Sequence, residues 1–202
     1  MDLDVSLYRK AFRSLRPRFE NAFNSLTLVP ELQFDRVMID AGRAESKGIE
    51  VTASSGSAED DLFWWVSYVW SEVEDTTADG KMKRSWDQTH AGKLGVSWRW
   101  RDWDISVAGE VHTGWPRTLI DTDINALRYS VFHTLDARIS RDFELRRGSL
   151  TAFFEITNLY NRDNACCTEY TLQQQGDGDE MLVGRERHWL PVVPSLGVVW
   201  RF

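Results

Sequence analysis

Four histidines, two cysteines and two acidic runs are the residues of this chain whose types could do chemistry. Their spacing matches no known catalytic motif, because the sequence has no Gly-x-Ser-x-Gly elbow, no His-Glu-x-x-His pair and no paired-Cys metal spacing. The acidic run that begins at Asp121 has acids at alternate positions, as a calcium loop does. Ala126 and Phe132 stand where such a loop needs Gly and a bidentate Glu. We therefore expect no catalytic residue, no bound metal and no cofactor.

The second acidic run, GDGDE at 176–180, could hold a calcium ion, but we interpret it as a solvated acidic loop. The histidines, which are His90, His112, His133 and His188, all lie near long connections between predicted strands. Some barrel enzymes keep their active sites on such loops. Histidine in that place more often hydrogen-bonds the loop or contacts a solute, so a barrel enzyme is the weakest of the functional hypotheses.

The two cysteines, Cys166 and Cys167, are adjacent in the sequence. Their Cα atoms must lie about 3.8 Å apart, which is below the usual separation for a disulfide, so a bridge between them would close a strained ring. In an oxidising compartment such a bridge can still form, and it would stiffen the loop that contains it. A zinc or copper site would need further ligands, and His188 is the nearest histidine in the sequence. We expect a loop-stiffening role.

The elements that must position these residues are strands. Apolar and polar residues alternate along much of the chain, and a period of two indicates a strand with one parity on each face. In the stretch WDISVAGEV, Trp103, Ile105 and Val107 share one parity, and Asp104 and Ser106 share the other. No stretch shows a helical stripe, so we predict an all-β chain. The eight predicted strands cover roughly 3–12, 44–54, 62–73, 89–100, 103–113, 134–143, 149–159 and 192–202.

The connections between these strands alternate between long and short. The long ones cover roughly 13–43, 74–88, 114–133 and 160–191. In an up-and-down antiparallel sheet, alternate connections lie at the same end, so all the long loops would lie at one end and all the short turns at the other. That asymmetry is typical of outer-membrane barrels, which have short periplasmic turns and long extracellular loops.

The ten tryptophans favour the same interpretation. They fall near the two ends of the predicted strands, where a membrane barrel has its aromatic girdles. The parity that opposes the apolar residues carries charge, for instance at Asp104, Arg138 and Arg201, which a polar lumen accepts. The group near the short turns is Trp64, Trp65, Trp98, Trp100, Trp103 and Trp200, and the group near the long loops is Trp70, Trp86, Trp115 and Trp189, with Tyr160.

Composition excludes several classes of protein. The formal net charge of -7 argues against a nucleic-acid binder, which would show a basic face. The longest apolar run, around LFWWV, is far shorter than the ~18 residues of a transmembrane helix. The first residues lack the basic and apolar regions of a signal peptide. Either the protein is cytoplasmic or the chain lacks its natural start.

Seven short stretches of the sequence, taken together with their order and spacing, resemble a known protein family. They are ESKGIEVTA at 45–53, SYVWSEVED at 67–75, RSWDQTHAGKLGVSW at 84–98, HTGWPRT at 112–118, LDARISRDFEL at 135–145, FFEITNLYNRDN at 153–164 and LPVVPSLGVVWRF at 190–202. In this order and spacing they resemble the C-terminal barrel of TonB-dependent outer-membrane receptors, over nearly the whole chain. The stretch at 153–164 resembles the family's Asn-Leu-aromatic-Asn hallmark, and the last residues resemble its C-terminal ending.

The resemblance implies a 22-stranded transmembrane β-barrel with a plugged lumen, of which residues 1–202 would be the last eight strands. It implies uptake of a scarce large solute, such as an iron chelate, cobalamin or a glycan, with energy from an inner-membrane complex. The plug domain, the segment that contacts this energising complex and the signal peptide would lie N-terminal to the chain. The other partners would be outer-membrane lipid and the barrel-assembly machinery, and the localisation would be the outer membrane of a Gram-negative cell.

Two groups of residues acquire expected roles from this resemblance. Trp200 and Phe202 would belong to the signal that the assembly machinery reads at the C-terminus. The external loops would contact the solute, through the candidate residues Trp86, His112, Trp115, Arg117 and Arg187.

A complete eight-stranded barrel with a structural or adhesive role is the main alternative, because 202 residues suffice for one. The two hypotheses differ in what precedes Met1. A plug domain and further strands would support the transporter, and a signal peptide ending near Met1 would support the small barrel. If the transporter hypothesis holds, we expect the chain expressed by itself to aggregate, to be degraded or to close into a smaller barrel.

Overall fold

The computed structural model describes residues 1–57, 59–174 and 180–202. The predicted all-β class is confirmed, because the short 3-10 helix Pro30–Leu32 is the only helix in this part of the chain. The strands, numbered in chain order, are β1 (Asp2–Arg13), β2 (Arg18–Asn21), β3 (Arg36–Ile39), β4 (Arg43–Ser55), β5 (Leu62–Thr77), β6 (Gly80–Lys83), β7 (His90–Trp100), β8 (Trp103–His112), β9 (Pro116–Arg117), β10 (Leu127–Arg128), β11 (Phe132–Glu144), β12 (Ser149–Thr157), β13 (Ala165–Gln174), β14 (Glu180–His188) and β15 (Val193–Arg201). Within the described residues, no helix has the length and apolar character needed to cross a membrane.

Eight long strands form one antiparallel sheet, the main sheet, in the order β1-β4-β5-β7-β8-β11-β12-β15. Each of them lies beside the next long strand along the chain, so the sheet is an up-and-down meander. These are the eight predicted strands, and their ends agree closely with the prediction. The largest difference is at the end of β5, predicted at 73 and observed at Thr77. The short strand β6 accounts for it, because β6 pairs with the last residues of β5 and extends that ladder.

The main sheet is open in the part of the chain that the structure describes. β1 pairs only with β4, and β15 pairs only with β12, so these two strands are the edges of the sheet. No closed barrel is therefore present among the described residues, and membership of a larger transmembrane barrel, which the resemblance implies, stays a prediction. The observed architecture is an antiparallel all-β sheet with loops packed at one end.

One face of the main sheet is apolar on all eight strands, and we call it the apolar face. Directly paired residues share a face, and the register places Ile105 beside Ile139, and Ile139 beside Phe154. Large apolar side chains here are exposed, with 83% exposure for Leu196. The face includes Leu3, Val5, Leu7, Ile49, Val51, Val66, Leu94, Val96, Trp98, Val107, Ile139, Phe154, Leu196 and Val198.

The opposite face, which we call the polar face, carries ion pairs between neighbouring strands. Lys93 of β7 lies 3.4 Å from Glu110 of β8, measured from Nζ to Oε1. Arg138 of β11 lies 3.2 Å from Glu155 of β12, measured from Nη1 to Oε2, and its guanidinium lies 4.0 Å from the centre of the Phe153 ring. The charged residues that the sequence placed on one parity of the strands thus lie on the same face of the main sheet.

Two glycines of the polar face make room for aromatic rings of the neighbouring strand. A Cβ atom at Gly197 would lie 2.2 Å from the ring of Phe153. A Cβ atom at Gly95 would lie 2.3 Å from the indole of Trp65. Any side chain at these positions would displace the ring, so the close approach of ring and backbone requires glycine there.

Buried residues are concentrated at the end of the main sheet where the four long connections lie. They include Asn21, Ile39, Asp75 and Asp87, whereas the strands between the two ends bury almost no side chain. The long connections also form short hairpins there, namely β2–β3, β5–β6, β9–β10 and β13–β14. The sequence predicted these regions only as long loops, and the structure adds that each of them contains or extends a short hairpin.

Candidate ligand-contacting loop layer

The four long connections pack against one another at one end of the main sheet. We call them the loop layer, which comprises the described residues of 14–42, 78–89, 113–131 and 158–192, together with Asp75 at the end of β5, whose side chain bonds within these connections. The backbone N–H of Thr168 donates to the carbonyl of Phe23 at 3.1 Å and joins the fourth connection to the first. The side chain of Asn125 donates to the carbonyl of Lys83 at 2.9 Å and joins the third connection to the second.

Asp75, near the end of β5, is a fully buried acid that joins the first connection to the second. Its Oδ2 accepts a hydrogen bond from Arg18 at 2.6 Å, and its Oδ1 accepts one from Arg84 at 2.9 Å. Burial by itself would lower the pKa of Arg18, but the hydrogen bond to Asp75 and the charge of Glu20 outweigh it and raise that pKa. One carboxylate thus holds two guanidinium groups that come from different loops.

Asp87 joins the second connection to the third, again through hydrogen bonds and an ion pair. Its Oδ1 accepts a hydrogen bond from the backbone N–H of Val73 at 3.0 Å, and its Oδ2 forms an ion pair with Arg128. Arg128 also donates to the backbone carbonyls of Asp87 and Gly114, each at 2.9 Å. Asp75 and Asp87 both lie in stretches that carried the resemblance, at 67–75 and 84–98, but their role in joining the loops was not predicted, and neither was that of Arg128.

An aromatic cluster lies where the loop layer meets the polar face. His112 and Phe132 are directly paired on that face, and their rings stack with centroids 4.6 Å apart. The ring of Trp115 lies 5.0 Å from that of His112, 5.1 Å from that of Trp86 and 5.8 Å from that of Trp189. Trp86 is 48% exposed and Trp189 is 40% exposed, so the cluster presents two indole rings to solvent.

This cluster corrects the place expected for three tryptophans. We expected Trp86, Trp115 and Trp189 in a girdle outside the barrel, but they meet on the polar side because their loops fold over the polar face. Tyr160 lies on the other side of the sheet, where its hydroxyl is 2.8 Å from Nδ1 of His133. His133 pairs with Val111 and therefore belongs to the apolar face.

The structure brings together three of the five residues expected to contact a solute, namely Trp86, His112 and Trp115. The two arginines make other contacts: Arg117 packs against the β13–β14 hairpin, and Arg187 is part of it. Arg117 forms an ion pair with Glu186, and the Nε of Arg187 lies 3.2 Å from Oε2 of Glu169. Both arginines are therefore engaged by acids of the same hairpin.

Tyr129 closes the space beneath Arg117. The guanidinium of Arg117 lies 5.2 Å from the centre of the Tyr129 ring, and the Tyr129 hydroxyl is 2.9 Å from that of Thr168. Burial raises the pKa of Tyr129 to about 12. This tyrosine therefore acts as a neutral packing and hydrogen-bonding group.

The asparagines of the phrase NLYN shape the start of the fourth connection. The side-chain amide of Asn158 donates to the carbonyls of Arg162 at 2.9 Å and Leu190 at 3.2 Å. The side-chain oxygen of Asn161 accepts from the backbone N–H of Val192 at 2.9 Å. The two side chains thus tie the beginning of this long loop to its end, which gives the phrase a structural role.

The C-terminal aromatic residues lie on the edge strand at the short-turn end. Trp200 donates from Nε1 to the carbonyl of Arg147 at 3.2 Å, and its ring lies 5.5 Å from that of Phe202. The ring of Phe202 is almost completely exposed. A terminal ring in this position is accessible to another protein.

No known family model matches this chain, and no curated protein matches it. Among the residues described by the structure, no group of three or more His, Cys, Asp and Glu side chains could hold a metal ion. In the acidic run at 176–180, only Glu180 belongs to the described residues. The arrangement that the loop layer offers for function is therefore its aromatic cluster, whose indole rings can stack on a flat or ring-shaped solute.

Proposed function

We propose that the chain forms consecutive strands in the wall of an outer-membrane barrel of the TonB-dependent receptor kind, and that its loop layer contacts an external solute. The observation that carries the proposal is the combination of an exposed apolar face with four long connections gathered at one end of the sheet. In such a barrel the apolar face contacts lipid and the loop layer faces the outside of the cell.

The size of the apolar face supports a surrounding of lipid. Soluble monomeric proteins rarely expose contiguous apolar patches larger than a few hundred Å², whereas this face crosses all eight strands of the main sheet. Its exposed members range from Leu3 on the first strand to Val198 on the last. Burying that surface in hydrocarbon removes it from water and stabilises the sheet.

The length of the apolar face along a strand also suits a membrane. On β5 the face runs from Leu62 to Trp70, which corresponds to about 20 Å of height for a strand tilted by roughly 45°. Beyond Trp70 the same face becomes charged, because Glu72 pairs with Lys47 at 2.7 Å and with Lys83 at 2.8 Å. A charged rim above an apolar band is what a barrel presents where lipid ends and water begins.

The free edges of the sheet favour a barrel larger than eight strands. In the described residues β1 and β15 do not pair with each other, as they would in a complete eight-stranded barrel. Unpaired backbone N–H and C=O groups cannot remain exposed to lipid. In the proposed receptor, other strands pair with both edges, and the polar face with its ion pairs lines a plugged lumen.

The aromatic cluster supports solute binding in the loop layer. Trp86 and Trp189 present rings that can stack on a flat or ring-shaped solute, as an iron chelate, cobalamin or a glycan offers. Transport across the membrane would then depend on the plug domain and on energy from the inner-membrane complex. We place both of these partners outside the described chain.

Labelling of single cysteines in intact cells that make the whole protein tests this topology. In a Cys166→Ser/Cys167→Ser background, Ala78→Cys in the loop layer should react with a membrane-impermeant maleimide. Asp102→Cys, in a short turn at the opposite end, should react only after the cells are opened. Both positions are exposed in the structure, so burial does not explain a difference. Labelling of Asp102→Cys in intact cells, with Ala78→Cys protected, would reverse the orientation and defeat the proposal.

A further inference from the structure

The adjacent cysteines lie at an irregularity of the β13–β14 hairpin. Ala165 pairs with His188 and Cys167 pairs with Arg187, so Cys166 is an extra residue that makes a β-bulge. In a regular strand, successive side chains point to opposite faces. The bulge removes that alternation, and the two Sγ atoms lie 2.8 Å apart.

The cysteine pair also lies within an uninterrupted buried stretch of the loop layer. The five consecutive residues from Asn164 to Thr168 are all buried. The side chain of Asn164 bonds to the backbone of His133, and its carbonyl accepts from the backbone N–H of Trp189 at 2.9 Å. Thr168 bonds to Phe23 of the first connection, and its hydroxyl lies 2.9 Å from that of Tyr129 in the third, so three of the four long connections meet at this stretch.

Cys166 and Cys167 are both free thiols in this structure, so the bridge that we considered from the sequence is absent here. Burial, followed by the hydrogen bond to Cys166, raises the pKa of the Cys167 thiol to about 12. Thiolate is the form that reacts with disulfides, so the closed loop layer protects this thiol from oxidation. The two thiols should therefore be oxidised during folding, before the three connections close over the bulge.

We propose that Cys166 and Cys167 are a modification site, at which a disulfide between neighbouring residues forms during folding and locks the bulge where three long connections meet. The proposal rests on the proposed function only for the oxidising compartment in which the chain folds. The proposal also accounts for the bulge. A regular strand would place the two sulfur atoms on opposite faces, and the bulge brings them to the same side.

The oxidant is a dithiol-disulfide oxidoreductase in its disulfide form. One cysteine thiolate attacks a sulfur of that disulfide, which forms a mixed disulfide and releases the other sulfur of the oxidoreductase as a thiolate. The second cysteine thiolate then attacks the mixed disulfide, so that the Cys166–Cys167 bond forms and the bond to the oxidoreductase breaks. Two electrons pass to the oxidoreductase, whose two sulfurs take up the two protons that the cysteines have lost.

Alkylation of the protein from native membranes tests the proposal. The membranes are denatured with an alkylating reagent present, either without reductant or after reduction, and the tryptic peptide that follows Arg162 is weighed. We expect no alkyl group on this peptide without reductant and two alkyl groups after reduction. The unreduced peptide should also be lighter, by the mass of two hydrogen atoms, than the same peptide reduced and left without alkylation. Two alkyl groups without reductant, or a disulfide to another protein, would overturn the proposal.

A second measurement separates this inference from the proposed function. If cell fractionation finds the protein in a reducing compartment, the proposed function fails, and the cysteine site is then tested with purified protein that is unfolded and refolded with oxidised glutathione. Closure of a Cys166–Cys167 disulfide supports the site, and a stable glutathione adduct on either cysteine overturns it.

The effect of the disulfide on the loop layer is read by limited proteolysis. Reduction should speed cleavage of the loop layer in the wild-type protein, because the stretch where three connections meet loses its Cys166–Cys167 disulfide. The matched control is Cys166→Ser/Cys167→Ser, whose cleavage should be fast at the outset and unchanged by reductant. Equal cleavage of oxidised and reduced wild-type protein would overturn the role as a lock.

Discussion

The main sheet and the loop layer are stabilised in opposite ways. In the sheet, backbone pairing runs along eight long strands, yet large apolar side chains such as Leu196 and Val198 are exposed. In the loop layer, backbone pairing is short, yet Asp75 and Asp87 are almost completely buried, at 0% and 2% exposure. The sheet has a continuous hydrogen-bond ladder without a core, and the loop layer has a core that is rich in charged and polar groups.

This difference indicates that the two regions face different surroundings. The hydrophobic effect stabilises an apolar face only when that face is removed from water, so the sheet depends on whatever covers it. Loops that face water must supply their own partners, because buried polar groups are costly when they are left unpaired. In this loop layer, Asp75 and Asp87 each satisfy several donors from different loops. The sheet is therefore the region that depends on a cover for its apolar face, which in the proposed receptor is the membrane, and the loop layer is the region that supplies its own partners.

The largest expected effect comes from charge on the apolar face. Val107→Arg places a guanidinium between Val96 and Ala137 on that face, and near the middle of a bilayer this costs roughly 2–4 kcal/mol. The matched control is Ala108→Arg, which lies on the polar face opposite Asp136 and should cost much less. The measurement is the amount of folded, heat-modifiable protein in the outer membrane. Equal losses in the two variants would show that the two faces do not have different surroundings.

The strands of the sheet could be predicted from the sequence because alternate residues of a strand lie on the same face and share one environment. Ile105 and Val107 share the apolar face and Asp104 and Ser106 the polar face, so the period of two is visible without any knowledge of the neighbours. The same regularity gave the order of the strands, since short turns join adjacent antiparallel neighbours. Closure of the sheet does not follow from this pattern, because alternation is a property of each strand by itself.

The loop layer could not be predicted in the same way, because its partners are far apart in the sequence. Arg18 lies 57 positions from Asp75, and Asp87 lies 41 positions from Arg128. Isolated charged residues in long connections have no periodic pattern, so the sequence offers no sign that these four form two ion-pair networks. Trp86, His112 and Trp115 were chosen as candidate solute contacts from their position in the loops, and the structure adds that their rings touch.

A smaller effect, confined to the loop layer, is expected from Asp75→Asn. The change keeps the size of the side chain but leaves Arg18 and Arg84 without their shared counter-charge. Hydrogen bonds to charged groups contribute about 1.5–3 kcal/mol, and we expect the lower part of that range because both arginines are about one-third exposed. Hydrogen exchange should become faster in β2 and β6, with the main sheet unchanged.

The matched control for this prediction is Asp79→Asn, an exposed acid close to Asp75 in the sequence. It should leave exchange in the loop layer unaltered. Faster exchange throughout the main sheet in Asp75→Asn would contradict the separation of the two regions, because it would show that the sheet depends on the loop layer for its stability.

An effect of similar size tests the packing of the polar face. Gly197→Ala places a methyl group where the Phe153 ring now lies, and overpacking of this kind costs about 1–3 kcal/mol. Gly42→Ala is the control, since a Cβ atom there meets nothing within 4 Å. The midpoint of unfolding of the detergent-solubilised protein in urea should fall for Gly197→Ala only, and Gly197→Ala/Phe153→Leu should recover part of the loss. A stable Gly197→Ala protein would mean that the ring is not held on the glycine.

The smallest effect is expected from an ion pair of the polar face. Arg99 lies 3.2 Å from Asp104, measured from Nε to Oδ1, and both side chains are nearly half exposed. Exposed ion pairs contribute about 0.2–1 kcal/mol, so Arg99→Gln should lower the free energy of unfolding by no more than about 0.5 kcal/mol. Salt should erase even this difference, because it screens exposed charges. A loss comparable to that of Asp75→Asn, and insensitive to salt, would show that the polar face is shielded from water in the whole protein.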